Sequence, residues 1–145
     1  MSLTSLEVKN YRLEIGSRYV YRSQENRYDL AAWHRVLLNG KPVDQPGRPS
    51  RYKIVIEFGD QEYIDTVISQ GAGYVLEASN FVLVRYHLIE FDKAYELLRS
   101  EKPVYFQFDR FSEFDDPTSD RKRVHTAQLT TGKEIVGEGP VDLGN

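Results

Sequence analysis

Cysteine is absent from the chain, and with it go disulfide frameworks, thiolate nucleophiles and zinc sites built on cysteine. The absence fits a cytoplasmic protein. No apolar run approaches the roughly 20 residues that span a bilayer, and Met1-Ser2-Leu3-Thr4 has neither the basic nor the apolar region of a signal peptide. A soluble protein without a membrane partner is therefore expected. Also missing are the Gly-x-Ser-x-Gly elbow, a Gly-Lys-Ser/Thr phosphate loop and the Gly-x-Gly-x-x-Gly fingerprint; Gly71-Ala72-Gly73 and Thr131-Gly132-Lys133 read as turns. The three histidines, His34, His87 and His125, are scattered, with no His-x-x-x-His pair, so a metal site would need the fold to gather them. There is no repeat of fixed period and no low-complexity tract.

Among what is present, 145 residues with 40% hydrophobic and 28% charged content suit one globular domain over 1–145, with a Gly/Pro-bearing tail expected to fray from about Gly137. Ten tyrosines and seven phenylalanines against one methionine and one tryptophan favour sheet surfaces over helix packing. The net charge of −3 conceals an asymmetry: residues 1–56 carry ten Lys/Arg against five Asp/Glu, whereas residues 57–145 carry nine against seventeen. If those halves lie on different faces, the surface is dipolar and suited to self-association or to a charged partner. If they interleave after folding, the asymmetry cancels.

The most informative stretch runs from Phe81 to Ser100. Apolar residues on both alternating faces of Phe81–Glu90 predict a strand covered on both sides. Ala94, Leu97 and Leu98 then fall at helical spacing, with Asp92 as N-cap and Pro103 as terminator. Before it, Leu6–Lys9 and Tyr11–Ile15 alternate on either side of a phase slip at Asn10, which predicts a bulge. Gly16-Ser17 reads as the turn of a hairpin whose second arm is Arg18–Arg22, followed by a loop over Ser23–Arg27. Asp29–Leu38 is ambiguous: a helix capped by Asp29, or a strand ending in an Asn39-Gly40 turn, the second being favoured. Gly59-Asp60 between Arg51–Phe58 and Gln61–Ile68 predicts another hairpin. Tyr74–Glu77 continues the meander into the long strand. Val104–Phe111 is expected beside that strand, in parallel if a crossover forms, and Val124–Leu129 with Glu134–Val136 makes a last hairpin. The expectation is an α+β fold, mainly antiparallel β, barrel-like or strongly curved, with one short α-helix.

Arginine and aromatic residues alternate with unusual density in the basic part. Rings and guanidinium groups together suit anionic ligands and single-stranded nucleic acid. Neighbours on a strand point to opposite faces, however, so an aromatic core face with a solvated arginine face accounts for much of the pattern. The acidic pI of about 5.6 also argues against a generic nucleic-acid binder, whose affinity rests on phosphate neutralisation. Glu57, Asp60, Glu62 and Asp65 around one hairpin, and Glu113, Asp115, Asp116 and Asp120 in one loop, lack the convergence that a hard cation requires; solvated surface charge and strand-edge protection explain them. The leading expectation is thus a non-catalytic binding or protein-interaction module. Its contact surface would comprise Arg18, Tyr19, Tyr21, Arg22, Trp33, Arg35, Arg48, Arg51 and Tyr52, facing an acidic protein surface or a polyanion, in a homo-oligomer and with no cofactor. The alternatives are an enzyme acting on phosphate esters or other anionic substrates, with Glu57, Asp65 or Asp109 holding a metal or acting as base and histidine assisting, and a single-stranded nucleic-acid binder.

Overall fold

The computed structural model describes residues 2–43, 51–67, 71–111 and 120–132. Seven strands close into a barrel: β1 (Ser2–Arg22), β2 (Arg27–Pro42), β3 (Tyr52–Gly59), β4 (Gly73–Leu76), β5 (Phe81–His87), β6 (Tyr105–Phe111) and β7 (Arg121–Thr130). Their order around the barrel is β1-β2-β3-β5-β4-β7-β6, and β6 returns to β1 through the pairs Ser2↔Arg110 to Glu7↔Tyr105. All neighbours are antiparallel except β3 and β5. Two helices accompany them, α1 (Gln61–Val67) and α2 (Phe91–Ser100).

Alternation fills the interior. Leu6, Val36, Leu38, Ile54, Ile56, Val75, Val82, Val84, Phe106, Phe108 and Val124 are essentially inaccessible. Burying each such side chain stabilises by about 1.5–3 kcal/mol. On the opposite face of β6 from Phe106 and Phe108, Gln107 is also buried, 1% exposed, and its amide bonds across the strands, donating to Ser5 Oγ at 3.3 Å and accepting from Gln128 Nε2 at 2.7 Å. The helix α2 turns Ala94 and Leu98 inward, and Phe91 packs edge-on against Phe58. It closes the end of the barrel at which β5 stops and β6 begins.

Several local turn signals give way to the barrel. β1 runs straight through Gly16-Ser17, and β2 straight through Asn39-Gly40. Gly16 is there because the Trp33 indole lies across it, where a Cβ would stand 2.3 Å from Trp33 Cζ2. Gly40 lies 2.9 Å, by the same measure, from Leu6 Cβ. The real turn is Ser23–Asn26, with Asn26 left-handed at φ 48°, and Asp29–Leu38 is strand. The bulge expected at Asn10 is present, between Val8 and Asn10.

Gln61–Val67 is helix rather than the second arm of a hairpin. The edge of β3 that such an arm would need is taken by β5, in the register Lys53↔Phe81 to Gly59↔His87. Asp60 then caps the helix, its Oδ1 accepting from Tyr63 N at 2.9 Å. The same choice displaces β6 from the strand that precedes α2; β6 lies between β1 and β7, so no parallel crossover joins β5 to β6. Glu90, not Asp92, occupies the N-cap of α2, with no side-chain bond, and the strand before it ends at His87, followed by a 3₁₀ turn over Leu88–Glu90. The expected Glu134–Val136 strand and the tail from Gly137 lie outside the described residues.

Closure demands close backbone approach where β4 meets β5. A Cβ on Gly73 would fall 2.0 Å from Leu83 O, so backbone rather than a flexible side chain is in the way. Gly73→Ala is expected to lower stability by about 2 kcal/mol or more, measured by urea denaturation.

Candidate functional site

β1 and β2 are longer than the barrel needs. β2 pairs with β3 only from His34↔Phe58 to Gly40↔Tyr52. β1 pairs with β6 only as far as Glu7, after which Val8 N donates to Val104 O at 2.8 Å. Beyond these points the two strands pair with each other alone, out to Arg22↔Arg27. Seven residues of β2, 27–33, therefore form a two-stranded arm reaching roughly 20 Å past the barrel rim.

The register fixes what each face of the arm carries, since residues paired across an antiparallel ladder share a face. One face holds the rungs Tyr11↔Leu38, Leu13↔Val36, Ile15↔His34, Ser17↔Ala32, Tyr19↔Leu30 and Tyr21↔Tyr28. Val36 and Leu38 are core residues, so this is the interior face of the barrel carried outward. Its root is covered: His34 meets the Phe91 ring edge-on at 5.2 Å. Further out it is bare, with Ile15 65%, Tyr19 77%, Tyr28 69% and Leu30 68% exposed. Tyr28 packs against Tyr19 and Tyr21 at ring distances of 6.5 and 5.1 Å, and the Tyr21 hydroxyl donates to Asn26 Oδ1 at 2.7 Å across the turn.

The opposite face carries charge and the only tryptophan. Trp33 covers Gly16, and the Arg35 guanidinium lies 5.8 Å from the indole centroid. Arg35 pairs with Glu14 at 3.3 Å, and Arg12 with Glu14 also at 3.3 Å. The ladder extends this into an alternating row across four strands: Glu14↔Arg35, Arg35↔Glu57 and Glu57↔Arg85. Acid and base thus alternate within each part of the chain, Glu14 beside Arg35 and Glu57 beside Arg85, and also between the parts, Arg35 beside Glu57. Tyr63 of α1 lies over this row. Its ring takes the space that a Cβ on Gly59 would fill, and its hydroxyl donates to Glu57 Oε1 at 2.7 Å. Burial, then the Glu57 carboxylate, raise the Tyr63 phenol above its ordinary value, with Arg85 acting the other way.

Two clefts open at the same end of the barrel. One, of about 450 Å³, lies between α2, the end of β5 and β7, and brings Tyr86, His87, Glu90, Lys93 and Gln128 to its wall. Its charged pair is internally matched, Lys93 Nζ standing 3.8 Å from Glu90, and His87 Nδ1 accepts from Ile89 N at 3.3 Å. The other, of about 660 Å³, sits at the bulge where β1 leaves the barrel, between Glu7–Tyr11 and Leu98–Val104. Neither contains Glu57, Asp65 or Asp109, and among the described residues no three of His, Asp and Glu are grouped so as to hold a metal ion.

The residues expected to form one contact surface fall in three places. Tyr19 and Tyr21 are on the bare face of the arm, and Trp33 with Arg35 on the other face near its root. Arg51 and Tyr52 lie at the far end of the barrel, where Tyr52 pairs with Gly40 and its ring is 6.3 Å from Phe108; seven residues of β2 separate that pair from Trp33, roughly 20 Å. Arg18 and Arg22 belong to the arm ladder, opposite Ala31 and Arg27, with side chains outside the described set, as is Arg48 altogether. Ile15, Tyr28 and Leu30 were not anticipated. The signal that finds them is the period-2 run Leu13, Ile15, Ser17, Tyr19, Tyr21, once Gly16-Ser17 is read as strand. No family model, curated protein or solved structure matches the chain.

Two outcomes test this account. Gly16→Val displaces the indole, so Trp33 fluorescence should shift to longer wavelength while the barrel's melting temperature changes little. Tyr63 holds its proton more tightly in the folded state; the stability this represents is present below about pH 10 and lost as pH rises through the raised value. Tyr63→Phe should therefore flatten the fall of stability above pH 10, at a cost of about 1 kcal/mol at neutral pH for the lost hydrogen bond.

Proposed function

We propose that this protein is an interaction module that engages a protein partner through the arm formed by β1 and β2. The observation that carries the reading is where exposed apolar side chains lie. Of the seven large exposed hydrophobics among the described residues, Tyr19, Tyr21, Tyr28 and Leu30 are on the arm, Ile15 is at its root, Tyr11 lies further down β1 on the same face, and Ile89 is in the turn before α2, at the same end. Single exposed apolar residues need no explanation, but a contiguous stripe does. An isolated two-stranded ribbon is also marginal in water, so a ribbon with one greasy face is best understood as half of a contact.

The bare stripe itself holds no Lys, Arg, Asp or Glu, which favours an apolar protein surface over a polyanion. Of the arginines on the other face, Arg12 and Arg35 are engaged with Glu14 and Arg27 with Glu25, so a nucleic-acid backbone has less support. The enzymatic alternative has less still, since Glu57 is bonded to Tyr63 and Asp109 is in another strand, on a different part of the wall. The chain's lack of cysteine suits a cytoplasmic setting. No helix among the described residues is long and apolar enough to cross a membrane.

The test compares proteins cross-linked to the intact chain, to Tyr19→Ser/Leu30→Ser, and to Arg51→Ala at the far end of the barrel. The arm variant should lose captured protein by about tenfold or more while a single-stranded oligonucleotide competes with none of it. Capture abolished by Arg51→Ala and indifferent to the arm variant would move the contact to the far end and sink the reading.

A further inference from the structure

Resting on the arm as a docking element, we infer that its occupant is the arm of a second copy of this chain, packed face to face about a two-fold axis. Area comes first. Aromatic side chains bury roughly 150–250 Å² each. With the exposures of Tyr19, Tyr21, Tyr28, Ile15 and Leu30, one arm offers roughly 500–700 Å² of apolar side-chain surface. That is the upper end of the largest patch on a typical monomer. Counted on both copies of an isologous contact, it reaches at most roughly 1,000–1,400 Å², at the lower end of specific interfaces.

The stripe is also self-complementary in size and charge. Its rungs run in the order Tyr21↔Tyr28, Tyr19↔Leu30, Ser17↔Ala32, Ile15↔His34, so a rung of large residues adjoins a rung of small ones near the middle. A two-fold axis between them lays Tyr19 of one copy over Ser17 of the other, the large-on-small alternation of close packing. The tip of each arm, Tyr21 and Tyr28, then reaches the exposed Ile15 at the root of the other copy's arm. No charged residue lies on these rungs, so two copies of a chain carrying a net −3 meet there without like charges opposed.

The mass of the full chain in solution tests this, by sedimentation equilibrium across a concentration series. The wild type should weigh twice its 16.8 kDa, and Tyr19→Ser/Leu30→Ser should raise the dissociation constant by about 100-fold while its melting temperature stays within a few degrees. Because the chain has no cysteine, Ser17→Cys places one thiol per copy beside the proposed axis. A short bis-maleimide should then join two chains in high yield, and Ser79→Cys, at the opposite end of the barrel, should not be joined. A wild type that remains a single chain at its highest attainable concentration overturns the dimer. So does a dimer unaffected by the double substitution. If the chain is monomeric yet captures protein through its arm, docking by the arm stands with another occupant; if the capture is absent too, both readings fall.

Discussion

The hydrogen bonds between β6 and β1 are the constraint on which the rest of the structure depends. They join the last-placed strand of the sheet to the first, and a closed sheet leaves no row of unpaired N–H and C=O groups. Closure fixes how many residues of each strand the barrel uses. For β1 that ends at Val8, and for β2 it begins at His34. What lies beyond is surplus to the barrel and has backbone edges on both sides. The arm is thus a by-product of closure geometry and of strand length taken together.

A second consequence concerns the one parallel pair. β3 leads through α1 to β4, which takes its place one position further round, and β5 then fills the gap between them. The segment after Gly59 loses its natural hairpin partner and turns helical under the Asp60 cap. In doing so it lays Tyr63 on the barrel wall, over Glu57 in the row Glu14, Arg35, Glu57 and Arg85. These contacts knit α1 to the outer wall, on the charged side of the barrel, and leave the apolar side of the arm untouched.

That division of faces gives the arm its character. Side chains alternate along a strand whether or not the strand is inside a barrel, so the period that points Val36 and Leu38 into the core also points His34, Leu30 and Tyr28 to the same side once the strand has left it. Within the barrel this face is buried in the core. Outside it, the same residue types are left exposed, as at Tyr19, Tyr28 and Leu30. Phe91, reaching from the start of α2 to His34, marks where the barrel's own cover stops.

Much of this was legible in the residues. Alternating apolar positions at Ile54/Ile56, Val82/Val84 and Phe106/Phe108 specify inward faces, the helix over Ala94–Leu98 follows from its own period, and the phase slip at Asn10 announces the bulge, because these are properties of a few neighbouring residues. The absence of cysteine likewise excludes thiol chemistry by itself. What only the tertiary structure decided was the meaning of glycine and asparagine. Gly16-Ser17, Asn39-Gly40 and Gly59-Asp60 all carry turn chemistry, yet Gly16 accommodates an indole, Gly40 the side chain of Leu6, and Gly59 the ring of Tyr63. A short signal states which backbone conformations are permitted. Which one is adopted depends on the strand that arrives alongside, and that strand can be many residues distant. The arm escaped notice for the same reason: the sequence determines that one face of residues 11–38 is apolar, and only the position of β3, β6 and Phe91 determines how much of it is left uncovered.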